Sequence, residues 1–147
     1  MEPVKVKKLS PEAAIPRYAT VGSAGMDICA TGVEYDEKHS CWIYSTGLAF
    51  EVPKGYVMLL FPRSSIYKTN FYLTNHVGVL DSDYRGELKF IFRERGYSEF
   101  PAAHKPYEVG DRIGQMIIMP YPKVEFLEVE ELTKTERGDG GFGSTGK

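Results

Sequence analysis

Leu48-Ala49-Phe50-Glu51-Val52, Pro53-Lys54-Gly55 and Tyr56-Val57-Met58-Leu59-Leu60-Phe61 form the stretch that decides the fold class. Two apolar runs of strand length flank a tripeptide with turn chemistry. Its proline pre-sets one backbone dihedral and its glycine accepts a positive one. The stretch predicts two strands joined as a hairpin. On the N-terminal side, Val4 to Leu9 alternates apolar with charged and reads as a half-exposed strand, and Ser10-Pro11-Glu12-Ala13-Ala14 fits a single helical turn. On the C-terminal side, Phe71 to Leu80, Leu88 to Phe92, Arg112 to Met119 and Val124 to Val129 read as further strands. Short strands at near-regular spacing, with little helix, predict an all-β jelly-roll-like barrel or sandwich. Residues 1–133 are expected to form that domain, and the glycine-rich 134–147 a flexible C-terminal arm.

Composition narrows the function classes. A chain of 147 residues with 42% hydrophobic content suits one globular domain, burying roughly 68–70% of its unfolded surface. A net charge of −2 argues against direct nucleic-acid binding, yet leaves room for a small anion held by local arginines. The N-terminal Met1 to Lys8 lacks the apolar stretch of a signal peptide. No apolar run approaches the roughly 18 residues of a membrane span. Cys29 and Cys41 carry no C-x-x-C pairing and read as reduced thiols. These features predict a cytoplasmic protein (host cytoplasm if viral) without a membrane partner. His39, His76 and His104 are scattered, so no cluster of direct metal ligands is expected.

The chemistry concentrates in five segments. Arg137 to Lys147 holds five glycines, Ser144 and Thr145, one arginine and the lone aromatic Phe142. Glycine lets backbone N–H groups approach phosphate, the hydroxyls and guanidinium donate to it, and Phe142 offers a stacking face. The segment reads as a nucleotide lid or, more plainly, as a Gly/Ser end. Gly141 to Lys147 matches the start of a P-loop, but the sequence offers neither the next hydroxyl nor the helix that the motif needs. Gly78-Val79-Leu80-Asp81-Ser82-Asp83-Tyr84-Arg85-Gly86-Glu87 reads either as an ordinary turn or as a site. In the second case Asp81, ending an apolar strand and partly desolvated, is a general base for water. Pro62-Arg63-Ser64-Ser65 puts a cation and hydroxyls at a sheet end. Ser23 to Ile28 places small residues ahead of Asp27. Gly110 to Gln115 leads a turn into a strand, with Gln115 polar among apolar neighbours.

In sequence and order, these five segments resemble the motifs of the homotrimeric deoxyuridine triphosphatases, the dUTPases. They are A-G-M-D-I at 24–28, P-R-S-S at 62–65, G-V-L-D-S-D-Y-R-G-E at 78–87, G-D-R-I-G-Q at 110–115 and R-G-D-G-G-F-G-S-T-G at 137–146. The resemblance implies a jelly-roll homotrimer with three active sites at subunit interfaces, each closed by a C-terminal arm. It implies hydrolysis of dUTP to dUMP and pyrophosphate, limiting uracil incorporation into DNA and supplying dUMP for thymidylate synthesis. By the same resemblance, Asp81 activates water and Tyr84 packs on the deoxyribose. Asn75 with the backbone of Gly78, Val79 and Leu80 reads uracil. Arg63, Ser64, Ser65 and Gln115 hold the phosphate chain. Arg137, Gly143 and Ser144 bind the terminal phosphate while Phe142 stacks over the base. Mg2+ is expected on the triphosphate with no direct protein ligand, Asp27 and Gln115 acting through water.

Three features depart from the family pattern. Ser65 replaces the usual glycine and precedes the bulky Ile66-Tyr67, Gly114 stands where alanine or another small residue is common, and the stretch 93–109 is several residues longer. A dCTP deaminase shares the fold but needs a catalytic glutamate, whereas Asp81-Ser82-Asp83-Tyr84 follows the dUTPase pattern. A non-catalytic nucleotide sensor would bind dUTP without releasing pyrophosphate. A regulatory protein partner is compatible with either reading.

Overall fold

The computed structural model describes residues 3–96 and 104–144, and apolar residues alternating with polar ones mark many of its strands. Within them lie nine strands: β1 (Lys5–Lys8), β2 (Met26–Cys29), β3 (Gly32–Asp36), β4 (Cys41–Glu51), β5 (Tyr56–Phe61), β6 (Phe71–Leu73), β7 (Gly78–Leu80), β8 (Glu87–Glu94) and β9 (Arg112–Pro120). One sheet runs β1-β4-β8-β6 with β3 also on β4, and the other runs β2-β9-β5-β7. All pairings are antiparallel. The inner faces meet over Ile28, Tyr44, Leu48, Phe50, Met58, Leu60, Phe90, Phe92, Ile113 and Met116, all buried. This is the all-β jelly-roll-like architecture expected from the strand pattern. Among the described residues no helix is long and apolar enough to cross a membrane.

The turn at 53–55 has the predicted chemistry but a different consequence. Tyr56 N–H donates to Pro53 O at 3.1 Å, with Gly55 at φ +82°. The strands it joins do not pair. β4 already carries β1 and β3 along one edge and β8 along the other. β5 therefore crosses to the second sheet, between β9 and β7. The expected hairpin is an inter-sheet connection.

Other expectations are corrected in the same way. Phe71 to Leu80 is two strands in different sheets, broken by a turn in which His76 takes φ +58° and donates to Leu73 O at 2.9 Å. Ser10 to Ala14 is a hydrogen-bonded turn closed by Ala13 N–H to Ser10 O, not a helical turn. Val124 to Val129 pairs with no strand among the described residues, leaving Phe126 96% and Leu127 86% exposed. Tyr121 N–H to Gly55 O, at 3.0 Å, is the last backbone hydrogen bond to the sheets among those residues.

Gly114 is explained by the opposite sheet. A Cβ there would collide with the ring edge of Phe90, which is buried in the core. Gly114→Ala is expected to lower stability by about 1–3 kcal/mol through overpacking, read from urea unfolding midpoints. An unchanged midpoint would mean that Phe90 repacks without strain.

Tyr44 provides a pH signature. Its hydroxyl donates to Tyr107 O at 2.7 Å and accepts from Tyr107 N–H at 3.1 Å. Burial pushes its pKa up to about 12, and the charges of Glu108 and Asp111 act in the same direction. A tyrosine in the unfolded chain ionises near pH ~10. Between those values the unfolded chain loses a proton that the native one keeps, so stability falls as pH rises. Native stability should drop by about 2–3 kcal/mol between pH ~10 and ~12. Tyr44→Phe should flatten that drop in denaturant titrations at stepped pH.

Candidate active site

Four of the five chemistry-bearing segments fall on or beside the second sheet. Asp27 lies on β2, opposite Gln115 of β9, which in turn lies opposite Phe61 of β5. Directly opposed residues share a face, so this row projects away from the core. The neighbouring row, Met26, Met116 and Leu60, projects inward. Beyond Phe61 the chain turns through Pro62 and the extended Arg63 into a 3-10 turn, Ser64–Lys68. Gln115 Nε2 donates to Pro62 O at 3.1 Å and fixes that turn against β9. Arg63 Nε donates to Asp27 Oδ1 at 2.9 Å, and Arg112 Nη1 donates to Asp27 Oδ2 at 3.2 Å. A cleft of about 460 Å³ runs over Phe61, Pro62, Arg63, Ser64, Gln115 and Ile117. Ser65 is half-buried within the 3-10 turn and does not line it.

A second cleft, about 350 Å³, opens beside β7. Its lining includes Asn75, Gly78, Val79, Leu80, Asp81 and Tyr84, with Leu60, Glu87 and Lys89. The turn after β7 closes with Tyr84 N–H to Asp81 O at 3.2 Å, and the Tyr84 hydroxyl donates to Glu87 O at 3.1 Å. This fold-back needs Gly86, because a Cβ there would collide with the Tyr84 ring. Arg85 Nη1 donates to Ser82 O at 2.7 Å and Tyr84 O at 2.9 Å, bracing the turn. Asp81 is exposed in the single chain, which corrects the expected partial desolvation: the apolar strand ends one residue before it.

The arm stands apart from both clefts. Arg137 Nε donates to Gly140 O at 2.9 Å, and Ser144 N–H donates to Gly141 O at 3.0 Å. Gly138, Phe142 and Gly143 all have positive φ, and Phe142 is fully exposed. Thr145 to Lys147 lie outside the described residues.

The clefts adjoin at Leu60 and Phe61, but Asp81 and Arg63 lie toward opposite ends of β5. Leu80 pairs with Met58, so Asp81 is level with Val57, four positions from Phe61. That is about 13 Å of strand before the turn to Arg63 adds more. One chain thus assembles Asp27, Arg63, Ser64 and Gln115 in one place and Asn75, Gly78 to Asp81 and Tyr84 in another. Among the described residues no three acidic, histidine or cysteine side chains converge on a metal position. Arg112 belongs to a segment recognised in the sequence, but its role as a second cation on Asp27 depends on a cross-strand contact that sequence spacing does not display.

A dUTPase family model matches residues 11–146. A deoxyuridine 5'-triphosphate nucleotidohydrolase of Hydrogenobaculum sp. (strain Y04AAS1) is 43% identical over 96% of both chains. That of Nautilia profundicola is 41% identical over 98% of this chain and 99% of its own. This chain belongs to the dUTPase family. Among solved structures, the Staphylococcus bacteriophage 80alpha dUTPase with dUPNHPP covers all of both chains with a TM-score of 0.81 at 28% identity. A D-to-N variant of the dUTPase from phage phi11 of S. aureus, described with a structural Mg(II) ion, covers 88% of this chain and 98% of its own, with a TM-score of 0.69 at 26% identity.

Against that family background, the departures in this dUTPase have local explanations. Ile66 packs on the core while Tyr67 is exposed, so the bulky pair splits between interior and surface. Gly114 makes room for Phe90. Much of the longer stretch, 97–103, lies outside the described residues. Gly86→Ala should displace the Tyr84 ring and raise KM for dUTP about tenfold with little change in unfolding midpoint. An unaltered KM would mean the ring's pose is set elsewhere.

Proposed function

We propose that this dUTPase-family chain hydrolyses dUTP to dUMP and pyrophosphate in a homotrimer whose sites are each built from several subunits. The observation that carries the reading is the separation of Asp81 from Arg63 along β5, each in a cleft of complementary chemistry. The Arg63–Gln115 cleft offers cations, hydroxyls and amides suited to phosphates. The Asn75–Tyr84 cleft offers a carboxylate, an aromatic ring and strand backbone suited to a nucleoside and water. A reacting atom must lie about 3 Å from both its nucleophile and its oxyanion donors. Asp81 and Arg63, more than about 13 Å apart along the strand in one chain, meet that requirement when the first cleft of one copy faces the second of another. Such head-to-tail contacts close into a ring under rotation, which suits a cyclic trimer. The similarity to the phage 80alpha dUTPase, which holds dUPNHPP, supports a dUTP-like ligand.

Within that site, Asp81 accepts a proton from water as the water oxygen attacks the α-phosphorus in line. A P–O bond to the α-phosphorus forms, and the bond linking the α- and β-phosphates breaks. Its electrons leave with pyrophosphate. Seating beside a partner subunit would supply the desolvation that Asp81 lacks in the single chain. Asn75 and the backbone of Gly78, Val79 and Leu80 read the uracil edge. Tyr84, held down by its bond to Glu87 O, packs on the deoxyribose and leaves no room for a 2′-hydroxyl. Arg63, Ser64, Ser65 and Gln115 bind the phosphate chain.

The donor set fits a metal carried by the substrate. Gln115 spends Nε2 on Pro62 O and keeps Oε1 as an acceptor, while Asp27 lies opposite it; these two residues would hold a substrate-borne Mg2+ through water. Mg2+ on the triphosphate supplies charge neutralisation. Residues 134–147 form an arm that closes over a site formed by other subunits. There Arg137, Gly143 and Ser144 bind the terminal phosphate, and Phe142 stacks on uracil. The product serves dUMP supply, and removal of dUTP limits uracil incorporation into DNA.

The test is pyrophosphate release in Mg2+ from dUTP, UTP, dTTP and dCTP, with Asp81→Asn run alongside. Release from dUTP alone is expected. Asp81→Asn should lose about 10²–10⁴-fold in kcat and still bind dUTP. A wild type that binds dUTP without release is a sensor, and a variant with normal kcat removes Asp81 from the mechanism.

A further inference from the structure

Both oxygens of the Asp27 carboxylate are occupied by arginine. Oδ1 accepts from Arg63 Nε at 2.9 Å, while Oδ2 accepts from Arg112 Nη1 at 3.2 Å and from Arg63 Nη2 at 3.5 Å. The three side chains are 28%, 27% and 57% exposed for Asp27, Arg63 and Arg112 respectively. The group carries one net positive charge, and its two like charges are kept together by the carboxylate between them. A guanidinium has five N–H donors in a rigid plane. Among the described residues, Arg63 and Arg112 make no side-chain hydrogen bond except to Asp27, so most of their donors remain free.

The fold anchors this arrangement from three sides. Arg112 starts β9, Asp27 lies on β2, and Arg63 follows β5, with β9 hydrogen-bonded to both other strands. The Pro62 carbonyl beside Arg63 is tied to β9 through Gln115 Nε2. Arg63 itself lines the cleft that carries Ser64 and Gln115. The ion pairs thus hold a forked donor, Arg63, in the lining of that cleft, with a second fork, Arg112, on the same carboxylate but outside the lining.

We propose that Asp27 fastens Arg63 and Arg112 into a two-guanidinium clamp that binds polyphosphate without needing metal, making Arg112 a second phosphate-binding arginine. The proposal rests on the reading that this cleft receives the triphosphate, and it adds a task for Asp27 distinct from contact with metal-bound water. Arg112 touches the phosphate chain; Asp27 is a positioning residue that acts through the two arginines.

The clamp makes a prediction opposite in sign to simple charge counting. Removing the negative charge of Asp27 next to an anion site would by itself tighten anion binding. If Asp27 instead aligns two forks, Asp27→Asn loosens them and weakens binding. The experiment is calorimetric titration of the full-length protein with inorganic tripolyphosphate in EDTA, repeated across salt concentrations. Wild type should bind. Arg112→Gln and Asp27→Asn should each weaken binding about tenfold, the loss of one charge-assisted contact. Arg112→Lys, with the charge but not the fork, should recover only part. Thermal unfolding of each variant checks that the fold is intact, as expected for the exposed Arg112.

Unchanged affinity in Arg112→Gln, equal or tighter binding in Asp27→Asn, or no metal-free binding by wild type would each overturn the clamp. Wild-type dUTP turnover, measured in parallel, separates the layers. Turnover with a failed clamp leaves the function standing, whereas no pyrophosphate from dUTP removes the reading beneath it.

Discussion

Both edges of β4 are filled, by β1 and β3 on one side and by β8 on the other, and this sends the chain after Glu51 into a second sheet. The consequences reach the chemistry. β5 becomes an interior strand of that sheet, gaining β9 on one edge and β7 on the other. Because β7 runs antiparallel to β5, the turn after Leu80 and the turn after Phe61 emerge at opposite ends. A chain with the expected β4–β5 hairpin would place Arg63 and Asp81 differently. The two-ended second sheet therefore holds Arg63 and Asp81 apart within one chain. It also explains why neither cleft alone contains everything that phosphoryl transfer needs.

Turn chemistry and apolar runs made the strands themselves visible in the sequence. Their partners were less visible, for a physical reason. Alternation specifies which face of a strand is buried, but says nothing about which edge finds a partner. Pro53-Lys54-Gly55 makes a tight turn whether the flanking strands pair or part. Phe71 to Leu80 looked continuous because its break depends on His76 adopting a left-handed backbone, which histidine tolerates but does not announce. Val124 to Val129 has a strand's composition, yet composition does not assign it an edge, and it pairs with no strand among the described residues.

The candidate site divides along the same line. The five segments were legible as chemistry because glycine, hydroxyl, acid and arginine cluster there between apolar runs. Asn75 and Gly78 to Tyr84 are close in sequence, so local order brought them together in space. Asp27, Arg63 and Arg112 are far apart in sequence and meet only through the β2–β9–β5 ladder. Gly114 looked like a small departure in a motif. Its cause lies in Phe90 on the other sheet, a contact that only the packed sandwich reveals.

An acidic protein that handles a polyanion has to create positive potential locally, and the Asp27 group does so with little cost to the whole. Two arginines side by side repel, and two arginines each paired to a separate carboxylate would bring no net charge. One carboxylate between two guanidinia reduces the repulsion and retains a net charge of one, while leaving donors directed outward. Partial burial strengthens each contact relative to open water but stops short of the desolvation that makes buried ion pairs unfavourable. The resulting field is short-ranged, as salt screening at about 8 Å requires, and it lies beside the cleft with the hydroxyls. The cleft beside β7 carries Asp81 without an arginine in its lining. The fold thus keeps Asp81 away from Arg63 and Arg112 within one chain, and Asp81 forms no ion pair among the described residues.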